Sequence, residues 1–406
     1  MEQSNPISPS ANSIIDILTL RYNTEIDPIL SKLTSNDFTP TNIESSTEFI
    51  KKSIKNTFQN SIDSNCERIA IALSGGIDST LNLALLRETF PNLPISAISM
   101  KFADSVDETS TAAKIAEYFG AEHEIIYLDN FLIELPKAIS ITKQPFWDLH
   151  WYHVVKKAKS CSNYLISGDG GDELFAGYTF RYEKFLSLVN QDSSPVERVK
   201  AYLQCHGRDW VEDQSDLFGG KIDFSWEKIQ HNLLAYFDNS LSLIQQVCLA
   251  DYNGKLLYNF SPINSALHEH FDIKSITPLL SNEMISYGTN LETNLKYNEE
   301  NNIGKIPLRN LLVNYIDSNL LTQTKQGFSV NTVNLWKSYG YKFCKIYLEE
   351  ARIVNDGWIN RSWIDKHLKN ELDVNYINKF LGLLALEIWY RIFVTNEMDD
   401  NTLLET

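Results

Sequence analysis

The segment from Ser74 to Thr80 carries residue types that suit phosphate binding. It reads S-G-G-I-D-S-T and stands between a short apolar run and a helix-like run. Glycines let the backbone approach an anion closely, and hydroxyl groups beside the N–H groups of a helix start form a phosphate nest. Asp78 would repel phosphate unless Mg²⁺ lay between them. The segment predicts a metal-bound phosphate site, with a plain serine–glycine helix cap as the alternative.

A second segment, Ser167 to Tyr178, reads S-G-D-G-G-D-E-L-F-A-G-Y and combines acids with glycines. It follows an apolar run, as the first segment does, so both are expected just past strand ends. The carboxyl ends of parallel strands face one crevice, and Asp78 and Asp172 could therefore converge on one Mg²⁺–phosphate unit. A solvated glycine-rich turn is the alternative. The first segment lacks the lysine of the P-loop motif, so γ-phosphoryl transfer is not predicted.

Alternating apolar runs and helix-like runs supply the elements that would hold these segments. Strands are predicted at Arg68–Leu73, Ile95–Met100, Glu122–Leu128 and Tyr164–Ser167, and helices at Ile14–Leu20, Thr47–Asn60, Thr80–Glu88, Thr109–Phe119 and Val154–Ser160. This order predicts a doubly wound α/β fold with a parallel sheet. Beyond Tyr178 the pattern becomes mainly helical. We predict an N-terminal segment (1–46), an ATP-binding α/β core (47–182) and a helical part (183–406).

Composition narrows the classes of function. The 406 residues carry a formal net charge of −16, which disfavours a nucleic-acid partner. The five cysteines are scattered with no C-x-x-C pair, which is typical of free thiols in a reducing cytoplasm. The first residues lack the basic and apolar regions of a signal peptide. The most apolar stretch, Phe380 to Val394, contains Glu387 and Arg391, so no membrane span is predicted, and we expect a cytoplasmic protein.

Taken together, the motifs resemble those of a known family. The S-G-G-x-D-S and S-G-D-G-x-D-E segments are similar to those of the synthetase domain of asparagine synthetases and of their β-lactam-, carbapenam- and lasso-peptide-forming relatives. Further similar motifs follow in the family's order: Asp107-Glu108, Gln144-Pro145 with Asp148, Gly304-Lys305 with Leu308-Arg309, and Lys325 to Phe328. The resemblance runs from about residue 47 to residue 395.

The resemblance implies a fold of the adenine-nucleotide α-hydrolase type and a ligase that uses ATP and Mg²⁺. A carboxylate would attack the α-phosphorus of ATP, and ammonia or an amine would then displace AMP to form an amide. The residues implied for ATP are Leu73, Ser74, Gly75, Gly76, Asp78, Ser79, Met100 and Gly168, with Leu73 and Met100 beside adenine. Asp78 and Asp172 would bind Mg²⁺. Lys305 and Lys325 would stabilise the leaving pyrophosphate, and Asp169 would complete the catalytic group.

The sequence departs from the family's pattern on the substrate side. The family's glutamate in S-G-E-G is Asp169, and its arginine and aspartate in R-V-P-F-L-D are Ile276 and Ser281. We therefore expect a small-molecule or peptide carboxylate other than aspartate as the substrate. No cysteine precedes Cys66, so a glutaminase cysteine of the family's kind is not expected. Nitrogen is expected from free ammonia, from an amine on the substrate or from a separate glutaminase subunit.

Other readings of the residues remain open. RNA-modifying enzymes that adenylate a base share the first segment, and a non-catalytic relative would share both. The pairs His150/His153 and His268/His270 are spaced like metal ligands, but we predict ordinary histidines because no further ligands stand at zinc spacing. The aromatic residues Phe146, Trp147, Trp151 and Tyr152 could line a substrate pocket, yet core packing is the favoured prediction.

Overall fold

A single parallel β-sheet lies at the centre of the computed structural model, which describes residues 8–39, 47–103, 107, 109–317, 320 and 330–405. Its strands are β1 (Ile69–Ala72), β2 (Ile95–Phe102), β3 (Glu122–Leu128), β4 (Tyr164–Ile166) and β5 (Lys274–Ile276). Their order across the sheet is β3-β2-β1-β4-β5, and every neighbouring pair is parallel. The α/β class predicted from the sequence is confirmed.

The strand order reverses between β1 and β4. From β1 the chain moves outward through β2 to β3, and it then returns to place β4 on the other side of β1. Such a reversal leaves a crevice at the carboxyl ends of the strands, where open α/β sheets bind ligands. The two glycine-rich segments follow β1 and β4, so both lie at this point. The sheet topology therefore brings together residues that are far apart in sequence.

Helices pack around the sheet and follow the predicted order with small shifts at their ends. Up to β4 they are α1 (Ala11–Leu20), α2 (Thr47–Ser61), α3 (Ile77–Thr89), α4 (Thr109–Tyr118), α5 (Leu135–Thr142) and α6 (Trp151–Lys159). α3 and α6 each begin three residues earlier than the pattern indicated. Gly76 at the N-cap of α3 has extended backbone angles, so Asp78 lies in the first turn of the helix rather than in the loop before it.

The region after β4 is mainly helical, as predicted. From β4 to β5 its helices are α7 (Gly171–Leu174), α8 (Thr179–Leu188), α9 (Pro195–Cys205), α10 (Gln214–Leu217), α11 (Trp226–Phe237), α12 (Leu243–Asp251) and α13 (Ser261–His270), with a π-helical turn over Tyr252–Phe260. After β5 come α14 (Asn282–Asn290), α15 (Thr293–Lys296), α16 (Ile306–Leu312), α17 (Thr332–Leu335), α18 (Tyr341–Tyr347), α19 (Arg352–Asn355), α20 (Arg361–His367) and α21 (Val374–Phe393). Within the described residues, short helical turns also cover Ser35–Asp37, Phe131–Glu134, Pro278–Leu280 and Trp336–Gly340.

Two features went beyond the prediction. β5 belongs to the region read as helical, yet it pairs with β4 as an edge strand of the same sheet. α1 packs against α21, and its residues Ile14 and Leu18 are each 2% exposed, so this part of the N-terminal segment joins the core. Within the described ranges, no helix combines the length and apolar character needed to cross a membrane.

Candidate active site

The loop after β1 turns sharply into α3. Gly75 has a φ of +75°, a conformation that glycine adopts at low cost, and a side chain there would also press on Thr111. The Ser74 hydroxyl accepts a hydrogen bond from the Gly76 N–H at 3.3 Å, and the Ser79 hydroxyl accepts one from the Ser74 N–H at 3.3 Å. The predicted residues therefore form one compact turn at the N-terminus of a 13-residue helix, where an anion is favoured.

The loop after β4 lies directly against this turn. A side chain at Gly168 would come within 2.9 Å of Asp78 Cβ and 3.1 Å of the Ser79 nitrogen. One at Gly171 would collide with the Asp78 carboxylate. The Asn82 side chain in α3 donates a 3.0 Å hydrogen bond to the Ser167 carbonyl and joins the two loops from behind. Only glycine, which has no β-carbon, permits this approach at Gly168 and Gly171.

Lys305 connects the acids of both loops. Its Nζ forms an ion pair with the Asp78 carboxylate and another with Asp172 Oδ1 at 2.8 Å. All three side chains are largely buried, with exposed fractions of 10%, 15% and 16%. Their convergence brings two predicted metal ligands and one predicted catalytic lysine to one point, although Asp78 and Lys305 are 227 positions apart in sequence.

The backbone around Lys305 is held in an unusual conformation. Lys305 has φ +56° and ψ 32°, in the left-handed region that few side-chain-bearing residues occupy, and Ala176 has a φ of +57°. The Lys305 N–H donates a 2.8 Å hydrogen bond to the Phe175 carbonyl, and a side chain at Gly304 would collide with the Ala176 carbonyl. Backbone strain of this kind persists where neighbouring structure enforces it, commonly at functional sites. Here it directs the ammonium group toward the two acids.

Burial and neighbouring charge oppose each other in setting the pKa of Lys305, but they act in the same direction on the pKa of Asp169. Burial lowers the pKa of the Lys305 amine, but the charges of Asp172 and Asp78 outweigh it, and the net pKa lies above its ordinary value. Burial raises the pKa of Asp169, and the nearby charges of Asp78 and Asp172 raise it further. Lys305 therefore stays protonated at neutral pH, while the neutral form of Asp169 is favoured relative to a free aspartate.

Asp78 and Asp172 fit a divalent cation of the Mg²⁺ type. Each has a carboxylate that contacts the same ammonium nitrogen, so oxygens from both can approach one cation. Carboxylate oxygens are the ligands that Mg²⁺ prefers, with water and substrate phosphates completing the set. A side chain at Gly177 would collide with the Asp172 carboxylate and with Lys305, so the glycine leaves room for these two side chains. The pair of acids can thus hold a metal ion next to the anion site of α3.

Leu73 directly follows β1, whereas Met100, predicted at the end of its strand, lies two residues before the end of the adjacent β2. Leu73 follows β1, its N–H donates to the Ile98 carbonyl at 2.8 Å, and its own carbonyl accepts a 2.6 Å hydrogen bond from the Ser99 hydroxyl. Leu73 is fully buried and Met100 is 6% exposed. Both lie beside the turn that begins at Ser74, so they can form an apolar end to a site that holds phosphate at α3.

Several predictions concern residues that lie elsewhere or cannot be located. Lys325 and Glu108 lie outside the described residues. Asp107 pairs with Lys101 at 2.7 Å and accepts a 3.0 Å hydrogen bond from the Thr109 N–H, so it holds the start of α4.

Two of the four histidines contact polar groups nearby, and three of the four aromatic residues are buried. His153 faces Glu134 at 3.4 Å, and His268 Nδ1 lies 3.3 Å from the Ile273 carbonyl. In the part of the chain that is described, no group of three or more His, Cys, Asp or Glu side chains is arranged to hold a metal. Phe146, Trp147 and Tyr152 are at most 5% exposed, which agrees with the core packing favoured from the sequence.

The substrate-side departures take structural roles as well. Ile276 is the last residue of β5, pairs with Ile166 and is 3% exposed. The Ser281 hydroxyl accepts a hydrogen bond from the Met284 N–H and caps α14. Neither position presents a charge, in contrast to the arginine and aspartate of the family's motif.

One contact at Asp169 was not predicted from the sequence. The Asn264 amide donates to Asp169 Oδ2 at 2.8 Å, and the Ser167 hydroxyl donates to the same oxygen at 2.9 Å. Ser167 belongs to the recognised loop, but Asn264 lies on α13 in a stretch without a recognisable motif. The periodicity of α13 gave no signal that could have singled it out.

The fold and the site define an α/β protein with two glycine-rich loops at the switch point of a parallel sheet. Residues 53–391 match the asparagine synthase family, and the chain belongs to it. Among curated proteins, the glutamine-hydrolyzing asparagine synthetase 1 of Bacillus subtilis is 22% identical over 366 residues. That alignment covers 79% of this chain and 55% of the relative, so the chain spans about half the length of the curated relative it matches.

Solved structures give weaker similarities. NMN synthetase from Francisella tularensis is 17% identical, with a TM-score of 0.27, and the alignment covers 57% of this chain and 98% of that chain. The NH₃-dependent NAD synthetase from Campylobacter jejuni is 18% identical, with a TM-score of 0.23, and the alignment covers 51% of this chain and 93% of that chain.

Proposed function

We propose that the protein is an ATP-dependent ligase that activates a carboxylate as an acyl-adenylate and transfers the acyl group to ammonia or an amine. The convergence of Asp78, Asp172 and Lys305 between the two glycine-rich loops carries this proposal. Membership of the asparagine synthase family supports it. In the first step a carboxylate oxygen bonds to the α-phosphorus of ATP and pyrophosphate leaves. In the second, the amine nitrogen bonds to the carbonyl carbon, AMP leaves and the nitrogen loses a proton.

The chain's own groups have distinct tasks in this scheme. The Ser74–Ser79 turn and the start of α3 bind the β- and γ-phosphates through N–H groups and hydroxyls. Asp78 and Asp172 hold Mg²⁺, which neutralises phosphate charge when it is bound. Lys305 is buried and protonated, so it stabilises the charge that grows on the leaving pyrophosphate. Lys325 is proposed for the same task. Leu73 and Met100 pack beside adenine.

The substrate is proposed to be a carboxylate other than aspartate. Aspartate carries charges of both signs, and each must be paired when it is buried. Ile276 and Ser281 offer no such partners, because one lies in the sheet and the other caps a helix. Loss of one partner from a buried charged hydrogen bond costs about 2–5 kcal/mol, or roughly 30- to several-thousand-fold in affinity. We therefore expect asparagine to form slowly or not at all.

Product analysis tests the proposal. Purified protein is incubated with Mg²⁺–ATP, ammonium and a panel of carboxylates and small peptides, and nucleotides are separated by chromatography. AMP and pyrophosphate are the expected products, and ADP as the dominant product would contradict adenylation. Asparagine formation from aspartate with a KM near or below about 1 mM and a turnover above about 1 per second would contradict the proposed specificity, since that is ordinary enzyme performance. RNA that copurifies with the protein and stimulates turnover would favour the RNA-modifying alternative.

A further inference from the structure

The N-terminal segment sends one arginine into the region behind the nucleotide site. Arg21 caps α1 with a φ of +60°, donates its N–H to the Asp16 carbonyl at 3.1 Å, and accepts a 2.6 Å hydrogen bond from the Asn259 amide at its own carbonyl. Its backbone is thus fixed from two sides. Arg21 lies outside the range 53–391 that matches the family, so family motifs give no account of it.

The guanidinium of Arg21 joins two acids from different parts of the chain. It forms an ion pair with Asp148 on the loop before α6, and its Nη1 lies 3.5 Å from Asp209 Oδ1 on the loop after α9. Lys255 also reaches Asp209, at 2.5 Å. Asp148, by contrast, has one ion-pair partner among the described residues, and that partner is Arg21. Without Arg21, the Asp148 carboxyl would lose this ion pair while remaining partly buried.

Asp148 belongs to a loop that packs against the end of β2. Two residues further on, the His150 ring meets the Phe102 ring edge-on at 5.4 Å. The Arg21 guanidinium also lies 5.5 Å from the centre of the Trp147 ring, which stacks on Phe131 at 6.3 Å. Phe131 in turn contacts Phe102 at 5.7 Å. Arg21 therefore supports Phe102 through two routes, one ionic and one aromatic.

Phe102 shares a face of β2 with Met100. Side chains alternate along a strand, so residues 100 and 102 point the same way. Both are buried, at 6% and 5% exposure, whereas Lys101 between them has a side chain that is 36% exposed. The aromatic packing that Arg21 supports thus reaches the face of β2 that also carries Met100, the residue proposed to pack beside adenine.

We propose that Arg21 is a positioning residue for the adenosine end of the nucleotide site, acting through Asp148 and the loop before α6. Arg21 keeps this loop against β2 and leaves the pyrophosphate end, at Ser74–Ser79 and Lys305, unchanged. The inference rests on the proposed function in one respect, that ATP is the nucleotide bound.

Equilibrium binding separates the two ends of the site. We expect Arg21→Met to weaken binding of Mg²⁺–ATP about tenfold, in the range for loss of a residue that orients a ligand-contacting group. Binding of Mg²⁺–pyrophosphate should stay within about twofold of the unsubstituted protein, because pyrophosphate does not reach β2. Arg21→Lys should recover part of the ATP affinity, since it keeps the charge but not the planar fork.

A matched control is available at Arg391. Its side chain is 21% exposed, against 22% for Arg21, and it pairs at 2.6 Å with the fully buried Glu387. Arg391→Met should lower thermal stability but leave the ATP-to-pyrophosphate affinity ratio unchanged. Hydrogen exchange gives a second readout, in which Arg21→Met should accelerate exchange over residues 143–150 and Arg391→Met should not. Adding Asp148→Asn to Arg21→Met should slow that exchange again, because it removes the unpaired carboxylate.

The outcomes distinguish the inference from the proposed function. If the unsubstituted protein binds ATP and Arg21→Met binds it equally well, the positioning role is wrong. Equal weakening of ATP and pyrophosphate would also overturn it, because the effect would then be general. If the unsubstituted protein binds neither ligand, the proposed function fails, and exchange over residues 143–150 still reports whether Arg21 fixes the loop.

Discussion

The two sides of the proposed site depart to different degrees from the motifs that the sequence resembles. On the proposed nucleotide side, Asp78, Asp172 and Lys305 are all present and meet at one point. On the proposed substrate side, the positions of two charged residues in those motifs hold a strand residue, Ile276, and a helix cap, Ser281. On the first side the two loops and the charged groups must lie close together, and glycines make this close packing possible. The second requires only stable local structure, which neutral residues provide equally well.

This difference indicates which part of the chemistry is constrained. Stabilising charge on a leaving pyrophosphate needs cations and a metal at fixed positions, so few substitutions are tolerated. Recognition of a carboxylate can be met by several different pockets. A chain that keeps the first side and changes the second is expected to perform the same reaction type on another substrate.

The largest expected effect comes from Lys325→Ala. Lys325 is proposed to stabilise the leaving pyrophosphate, and a lysine in that role gains importance as charge develops, so we expect kcat to fall by about 10²–10³-fold, or about 3–4 kcal/mol. Steady-state kinetics with varied ATP is the measurement. If only the KM for ATP changed, Lys325 would contribute to ATP binding and not to stabilisation of the transition state.

Asp172→Asn and Asp78→Asn follow in size. Each removes a proposed metal ligand and one ion pair of Lys305, and we expect activity to fall at least about 10–100-fold. Raising the Mg²⁺ concentration should recover part of the activity in either variant, since the remaining acid still binds the ion. Asp213→Asn serves as a control, because Asp213 pairs with His367 at 2.7 Å, away from the two loops. Activity at the unsubstituted level in both site variants would show that the metal site lies elsewhere.

Gly171→Ala should lower activity by about tenfold through geometry alone, since displacement of a reacting group by about 1 Å can cost up to 100-fold. The added methyl group would collide with the Asp78 carboxylate. Gly220→Ala is the matched control, because a β-carbon there meets nothing within 4 Å. Kinetics of both variants, with circular dichroism to verify folding, is the measurement. Equal activity of the two variants would mean that the loops can separate without cost.

The contrast between the two sides also explains what the sequence could predict. The loops at residues 74–80 and 167–178 were recognisable because one short segment contains both the turn-forming glycines and the chemical groups. Their convergence followed from strand order, which apolar runs reveal. β5 escaped notice because a three-residue edge strand leaves no periodic pattern. Arg21 and Asn264 escaped because their roles depend on contacts with residues 127 and 95 positions away in sequence.

The smallest expected effect concerns stability at Asp169, the residue between the two sides. Burial raises its pKa in the folded protein, and the charges of Asp78 and Asp172 raise it further, so folding favours the neutral acid. When an aspartate has a higher pKa in the folded state than in the unfolded state, its ionisation destabilises the folded protein. This loss of stability begins as pH rises past the pKa of the unfolded state, near 3.9, and is complete above the pKa of the folded state. Asp169→Asn removes this loss and keeps an acceptor oxygen for Ser167 and Asn264.

We therefore expect the Asn variant to melt at a higher temperature than the unsubstituted protein at pH 7 in the presence of a chelator. The gap should close as pH falls toward about 3, where both states carry a neutral acid. Added Mg²⁺ should narrow the gap at pH 7, because a cation held by Asp78 and Asp172 would offset their charge near Asp169. Thermal unfolding followed by circular dichroism across pH is the measurement. A lower melting temperature of the variant at pH 7 would mean that ionised Asp169 stabilises the fold, and its environment would then resemble the charged side of the crevice rather than the neutral one.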